Sequence, residues 1–464
     1  MKKLLYILFH RSVFVGLSLI AQVVALMLMV GFFSEHTTGL YWFFIFLSVA
    51  AALLIVGSRM EPAYKIAWLL LVLPFPVFGG IFYLLVGGGQ IPQRTSRRMK
   101  RIAEQSEENL REDFKADDLL TLGEDAAGQA RYLEDFAHCP AYTNTETEYF
   151  PVGDLVFPRM LEELEKAEQY IFLEYFILQP GVFWDSVLEV LERKAAQGVE
   201  VRLIYDDMGC MFTLPRDYNE QLAARGIQCR VFNRFLPVMT LRLNNRDHRK
   251  ILVIDGHTAF TGGINLSDEY INVTHPHGVW KDTGVMLRGD AVWNLTLMFL
   301  ETWNAMRPED TDFEPYRPGL HAPAGVPGET GGFVQPFGDS PLDAEPLAEN
   351  VYIDILAQAK DYVYIATPYL AISNEMQTAL CLAAKRGVDV RILTPGIPDK
   401  PTVFQLTRSY YASLLRAGVR IYEYTPGFVH AKSYLADDAI GVVGTINMDF
   451  RSLYLHFECG VAFY

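Results

Sequence analysis

The stretch His430-Ala431-Lys432-Ser433-Tyr434-Leu435-Ala436-Asp437, followed by Gly444-Thr445-Ile446-Asn447, reads H-x-K-x4-D and then Gly-Thr-x-Asn. The chain carries the same pattern earlier, as His248-Arg249-Lys250, Asp255 and Gly262-Gly263-Ile264-Asn265, with six residues between Asp and Gly in both copies. A given His has Lys at +2 and Asp at +7 by chance roughly once in a few hundred cases. One copy would mean little; two with the same downstream Gly and Asn mean a duplication.

The repeat extends outward from the motif. Glu165–Leu173 (EKAEQYIFL) answers to Ala357–Ile365 (AQAKDYVYI), and Ala195–Ile204 (AAQGVEVRLI) to Ala384–Leu393 (AKRGVDVRIL). Ala224-Arg225-Gly226-Ile227 answers to Arg416-Ala417-Gly418-Val419. Each half reads strand, helix, strand, helix, strand, with the His-x-Lys motif on a further strand. That alternation marks βα units around a largely parallel sheet. Each Gly at a helix-to-strand junction stands where a residue of positive φ is wanted, so these glycines are structural. The expected organisation is a membrane segment at 1–101, an acidic linker at 102–148, halves at 149–307 and 333–464, and a Pro/Gly-rich linker at 308–332.

Composition bounds the function. Net charge is −15, and Ile102–Asp135 alone carries 11 acidic and 3 basic residues. This argues against a nucleic-acid partner, for which a basic footprint is expected. The acidic stretch reads as a solvated linker helix without chemistry. Five scattered Cys without CxxC spacing suggest reduced thiols. Zinc finds no sequence cluster, and His275-Pro276-His277 reads as a loop, so neither metal nor cofactor is expected.

Three stretches free of charged residues, Val13–Phe33, Leu40–Val56 and Ile66–Val86, read as two to three apolar helices of a permanent anchor rather than a signal peptide. Positive charge is nearly balanced across them, and Pro74-Phe75-Pro76 with Gly79-Gly80 offers a bent or re-entrant third segment. The expectation is a multi-pass membrane protein with its catalytic domain facing the cytoplasm. The basic run after Gly89 fits either a segment on anionic headgroups or a stop-transfer flank.

On a strand, His-x-Lys puts both side chains on one face. Lys beside imidazole makes an electropositive spot suited to a phosphodiester, and Asn265 and Asn447 can donate to its non-bridging oxygens. If the halves pack about a pseudo-twofold axis, His248, Lys250, His430 and Lys432 share one pocket. There one His attacks phosphorus, and the other protonates the leaving alkoxide and later deprotonates the acceptor alcohol. Asp255 and Asp437 complete the motif and count with its catalytic set, although their place at strand ends favours a structural role. Arg249 and Arg451 are candidates either for holding a phosphate or for plain surface charge.

With Asp247-His248-Arg249-Lys250 through Asn265, and Gly444 through Ser452, the sequence resembles the phospholipase D superfamily and within it the bacterial cardiolipin synthases. The resemblance implies tandem phospholipase D-like repeats, two mixed sheets flanked by helices, after an N-terminal helical membrane segment. It implies His248 as nucleophile forming a phosphatidyl-histidine, and His430 as general acid and base. Asp282 and Glu458 would orient the two imidazoles. The implied reaction transfers a phosphatidyl group between two phosphatidylglycerols, giving cardiolipin and glycerol. Alternatives are a hydrolytic phospholipase D or another phosphatidyltransferase. A nuclease of the same fold is disfavoured by charge and anchor, and a non-enzymatic membrane scaffold by the survival of both motifs. The sequence departs from the family pattern at His456, where Asn is usual, at Thr445, where Ser is usual, and in a loose match at Gly338-Asp339-Ser340-Pro341. It stops at Tyr464, just past the strand of the second motif, where relatives tend to continue. An apolar insertion after Phe232, including Phe235–Leu241, is expected either to meet acyl chains or to pack in the core.

Overall fold

A computed structural model describes residues 20, 24, 27–28, 31, 38–58, 62–74, 83, 93–110, 123–234, 245–310, 312–317, 332–343 and 345–464. The first apolar stretch lies largely outside these residues; the Phe235–Leu241 insertion, Gly87-Gly88-Gly89 and residues 318–331 of the linker lie wholly outside them. The chain divides into two units, Met1–Gln93 with Arg234–Asn245, and Arg94–Asn233 with Arg246–Tyr464.

In the first unit, helices Thr38–Gly57 and Pro62–Val72 pack through Ala51, Ile55, Trp68 and Val72. Trp68 meets the Tyr83 ring edge-on at 5.2 Å. Large apolar side chains, among them Phe46, Leu53, Leu54 and Leu70, stay exposed. Among the described residues no helix is long and apolar enough to cross a membrane, so the expected spans are not shown.

The second unit holds both repeats. Its first half contributes β1 (Thr145–Phe150), β2 (Tyr170–Tyr175), β3 (Glu200–Asp206), β4 (Gln228–Phe232), β5 (Lys250–Ile254), β6 (Thr258–Gly262), β7 (Val279–Lys281) and β8 (Gly284–Gly289). The second half contributes β9 (Val334–Asp339), β10 (Tyr362–Ala366), β11 (Leu370–Ala371), β12 (Asp389–Pro395), β13 (Arg420–Tyr424), β14 (Gly427–Val429), β15 (Ser433–Ala436), β16 (Ile440–Gly444), β17 (Met448–Asp449) and β18 (Glu458–Phe463). One seven-stranded sheet runs β1-β8-β6-β5-β2-β3-β4, the other β9-β18-β16-β15-β10-β12-β13, the same order strand for strand. Both are mixed. Only β2-β3-β4 and β10-β12-β13 pair in parallel, and the remaining neighbours are antiparallel. The largely parallel sheet expected from βα alternation is therefore corrected: two of the six neighbour pairs in each sheet are parallel and four are antiparallel. The motif strands β5 and β15 each return at once as a hairpin, which only antiparallel pairing allows.

That hairpin explains the motif Asp. Asp255 and Asp437 open the turns with φ of 50° and 53°, a left-handed conformation that Asp tolerates better than most residues. Asp255 carboxylate oxygens accept from the backbone N–H groups of Glu168, Gln169 and Tyr170 at 2.7–2.8 Å. Asp437 accepts from Lys360, Asp361 and Tyr362 at 2.6–3.0 Å. Each Asp thus fixes the start of the fully paired neighbour strand, β2 or β10.

The core of the first half is built on β2, buried at all six positions, with Leu173 and Tyr175 in one buried apolar cluster with Trp184, Val187 and Leu191 of helix Val182–Ala196. Helix Val292–Met306 is almost wholly buried, and its Phe299 stacks on Phe172 at 4.6 Å. The linker expected to be merely solvated is docked in part. Helix Glu124–Ala137 clusters Ala127 and Ala130 with Phe333, and Gln335 Nε2 donates to the Ala130 and Cys139 carbonyls. Its small residues on one face permit that approach. The Pro/Gly linker is likewise anchored where Asp310 takes both terminal nitrogens of Arg202 at 2.7 and 3.0 Å.

Candidate active site

Two short pairings between the halves place the histidines. β14 runs parallel to β7, with Val429 opposite Lys281, and Asp247 bridges to Phe457 in the same sense. The backbone N–H of His430 donates to Lys281 O at 2.7 Å, and that of His248 to Phe457 O at 2.9 Å. Lys281 and Phe457 immediately precede Asp282 and Glu458, so each His is brought against the carboxylate of the opposite half. His430 Nδ1 lies 2.7 Å from Asp282 Oδ2, and His248 Nδ1 lies 2.9 Å from both Glu458 oxygens. Both imidazoles line one cavity of about 460 Å³, together with Asn265, Asn447, Arg451 and His456. The expectation that the histidines sit on the motif strand is corrected: both precede it, His248 by two residues and His430 by three. This leaves them free to pair across the interface.

Burial sets the charges. It is the main cause that holds His248 well below the ordinary imidazole range and brings His430 down to about 4; the neighbouring Lys pushes the same way, while the carboxylate opposes. Burial also brings Lys250 down to about 8 and Lys432 to about 7. For Asp282 and Glu458 burial acts upward, but the facing His and cations outweigh it and hold both below the usual carboxylate range. The arrangement is a neutral imidazole giving its Nδ1 proton to an ionised carboxylate, which leaves Nε2 with a free lone pair. Lys250 Nζ donates to His248 O at 2.5 Å, and Lys432 to the His430 carbonyl. Lys432 Nζ also stands 2.8 Å from His430 Nδ1, but with that proton directed at Asp282 the carbonyl is its acceptor.

A family profile described as "Cardiolipin synthase, PLD-like domain" matches residues 160–282 and 352–464, and one described as "Phospholipase_D-nuclease N-terminal" matches residues 46–88. A cardiolipin synthase of Geobacillus kaustophilus is 36% identical over 440 residues, 94% of this chain and 86% of the relative. The chain belongs to the cardiolipin synthase family of the phospholipase D superfamily. It is thereby a phosphatidyltransferase by family. An uncharacterized protein of Streptococcus mutans is 47% identical over 90% of this chain and 89% of its own length. A crystal structure of a phosphatidylserine synthase from Haemophilus influenzae superposes with a TM-score of 0.55 at 15% identity, covering 74% of this chain and 87% of the other, and shares the fold.

Within this cardiolipin synthase family member the remaining candidates separate. Asn265 is buried with Oδ1 accepting from Ile177 N–H at 3.1 Å and Nδ2 donating to Tyr270 OH at 2.8 Å, which leaves one N–H for a ligand. Asn447 is buried, and among the described residues its Oδ1 has no hydrogen-bond partner. Arg249 does not reach the cavity. It is buried, with Nε on Glu458 O at 3.2 Å, one terminal nitrogen on Thr302 at 3.1 Å, and Glu174 3.8 Å away. Arg451 does line the cavity. Asp255 and Asp437, counted with the catalytic set, are committed to backbone N–H groups at the hairpins and are not among the cavity's lining residues.

The glycine pair is asymmetric for a reason. A Cβ on Gly263 would stand 2.0 Å from Asp282 Oδ1. At the equivalent place in the second half, Thr445 instead donates its hydroxyl to Glu458 Oε2 at 2.5 Å. Sequence reading noted Thr445 and His456 only as departures and gave no role to Trp280. Yet Trp280 lies 5.5 Å from the His430 ring and His456 lies 5.4 Å from the His248 ring, both two residues ahead of a carboxylate. The available signal was the shared x-x-carboxylate position in Trp280-Lys281-Asp282 and His456-Phe457-Glu458. A larger hollow of about 890 Å³ on the second sheet is mainly apolar and contains neither histidine.

Proposed function

We propose that this enzyme makes cardiolipin from two molecules of phosphatidylglycerol, releasing glycerol, through a phosphatidyl-histidine intermediate. The observation that carries the reading is the exchanged pair of His–carboxylate contacts, with both histidines on one cavity and Lys250 and Lys432 buried just behind them on the His248 and His430 carbonyls. His248 Nε2 attacks the phosphorus of the first lipid as the bond to the glycerol headgroup oxygen breaks. His430, protonated when the diester anion enters and offsets its burial, gives its proton to the departing alkoxide. It then takes the proton of the second lipid's headgroup hydroxyl. That oxygen attacks phosphorus, the P–N bond breaks, and His248 is restored. Lys250, Lys432, Asn265 and Asn447 stabilise the non-bridging oxygens. Asp282 and Glu458 hold the tautomers. The diester consumed and the diester formed are close in energy, so no nucleotide is required.

Support for membrane attachment comes from the family match over residues 46–88 and the exposed apolar side chains of helix Thr38–Gly57. On this reading residues 1–101 anchor the chain in the bacterial inner membrane in several passes, and the repeats face the cytoplasm. The substrates are membrane phospholipids, and nucleic acid is not among the partners.

The test is to give the purified protein labelled phosphatidylglycerol in vesicles and separate the lipids. Cardiolipin with one equivalent of glycerol is expected; phosphatidic acid as sole product overturns the synthase reading in favour of hydrolysis. His248→Ala should abolish lipid labelling of the protein, whereas His430→Ala should slow turnover and let the adduct accumulate. The opposite pattern reverses the two roles.

A further inference from the structure

The two halves put different rings beside their reactive histidines. Trp280, beside His430, can only donate, and it cannot bind a metal. His456, beside His248, can do both. It is more than nine-tenths buried and lines the cavity, and among the described residues its Nε2 has no hydrogen-bond partner. An imidazole so placed gains nothing from its polarity unless something joins it. Its Nδ1 stands 3.4 Å from Glu458 Oε1, and Glu458 in turn stands 2.9 Å from His248 Nδ1.

Among the described residues, one donor atom each from His248, His456 and Glu458 lie within 4.8 Å of one another. Zinc bonds to nitrogen and carboxylate oxygen at about 2.0–2.2 Å, so neighbouring ligand atoms in a tetrahedral site lie roughly 3.3 Å apart. The two contacts to Glu458, at 2.9 and 3.4 Å, stand within tenths of an ångström of that spacing, and the two imidazoles, whose donor atoms lie within 4.8 Å, would close on one another around an ion. The carboxylate supplies negative charge. The Thr445 hydroxyl fixes its outer oxygen, as a supporting partner in a metal site does. Two of the three ligands line the cavity, which gives an ion a way in and leaves its fourth position to solvent.

We infer that His248, His456 and Glu458 form a binding site for a borderline transition-metal cation such as zinc, and that its occupation switches the enzyme off reversibly. The consequence rests on the reading of His248 as nucleophile. A metal on Nδ1 displaces the proton now shared with Glu458. In a neutral imidazole that proton reappears on Nε2, the atom that must attack phosphorus. No proton is gained or lost, but the lone pair needed for the P–N bond is taken up by N–H. His430 keeps Asp282 and is not inverted, so the block falls on formation of the adduct.

The test uses the full-length protein and zinc alone. Equilibrium dialysis should find zinc bound, and His456→Phe, which keeps a ring against His248, should weaken that binding by about tenfold or more. His456→Asn, which keeps polarity without the ring, serves as a second variant should the first fail to fold. In parallel, zinc should inhibit adduct formation by the unmodified protein in a way a chelator reverses. Each variant, measured against its own zinc-free rate, should resist that inhibition. Unchanged zinc affinity in both variants, or no binding by the unmodified protein, overturns the site. Dialysis needs no turnover, so a failure of the synthase reading leaves this arm intact. Binding that depends on His456 without any loss of adduct formation overturns the switch.

Discussion

His248 and His430 carry equivalent bonds, yet the groups around them differ, and those differences are open to measurement. Glu458→Gln leaves an acceptor of the same shape but removes the charge that fixes the Nδ1–H tautomer. Adduct formation should fall roughly 10³–10⁴-fold, with little change in thermal stability; single-turnover labelling checks it. Gly263→Ala should act on the other histidine, because the new Cβ would drive Asp282 off its position. Adduct should then form and resolve slowly, as for a His430 variant. The two lysines set the alkaline side of the pH profile. Lys432 loses its proton near 7 and Lys250 near 8, so the surroundings of the two histidines shed positive charge as pH rises through that window. An anionic diester binds a less positive cavity more weakly, so kcat/KM should decline above about pH 7–8. Lys432→Arg keeps its charge throughout and should move the decline upward. A profile with an unmoved alkaline limb would show that Lys432 does not set it.

At the scale of elements, the motif Asp is bonded into the hairpin and lies off the cavity. Asp255→Ala strips three backbone N–H groups of their acceptor and puts Ala where φ is 50°. Bonds to a charged acceptor contribute roughly 1.5–3 kcal/mol, so the melting temperature should drop clearly. The adduct-forming rate of the folded fraction should stay near that of the unmodified protein, since the cavity residues are untouched. H-x-K-x4-D was legible as a motif because its spacing follows one short path: His before the strand, Lys at its first residue or the one before, Asp in the turn that ends it. That same path shows why the motif mixes two kinds of work. The repeat was legible for a similar reason, since helix, Gly and strand recur in register at Gly198 and Gly387 and at Gly226 and Gly418. What local pattern could not yield was the hairpin direction of β5 and β15. Their apolar runs look alike in a parallel or an antiparallel sheet.

Across the whole second unit, the His–carboxylate pairs are swapped between halves, and this was the least legible feature of all. Sequence proximity ties Asp282 to His248 and Glu458 to His430, since each pair lies within one repeat. The contacts run the other way because β14 lies on β7 and Asp247 bridges Phe457, pairings of three residues and one residue across great sequence separation. Nothing in local hydrophobic periodicity encodes contacts that short. Neither half holds a complete His–carboxylate pair of its own. The exchange predicts which substitutions couple. In a double-mutant cycle, Asp282→Asn with His430→Asn should be non-additive by roughly 0.5–3 kcal/mol, because the first change already costs His430 its orientation. Asp282→Asn with Glu458→Gln touches two separate pairs and slows two different steps. Single-turnover kinetics should therefore show Glu458→Gln setting the rate of adduct formation and Asp282→Asn that of its resolution, with each rate in the double variant close to that of the single. Coupling of Asp282 to His248 instead, seen as a shared loss in adduct formation, would mean that the pairs are not exchanged in the working enzyme.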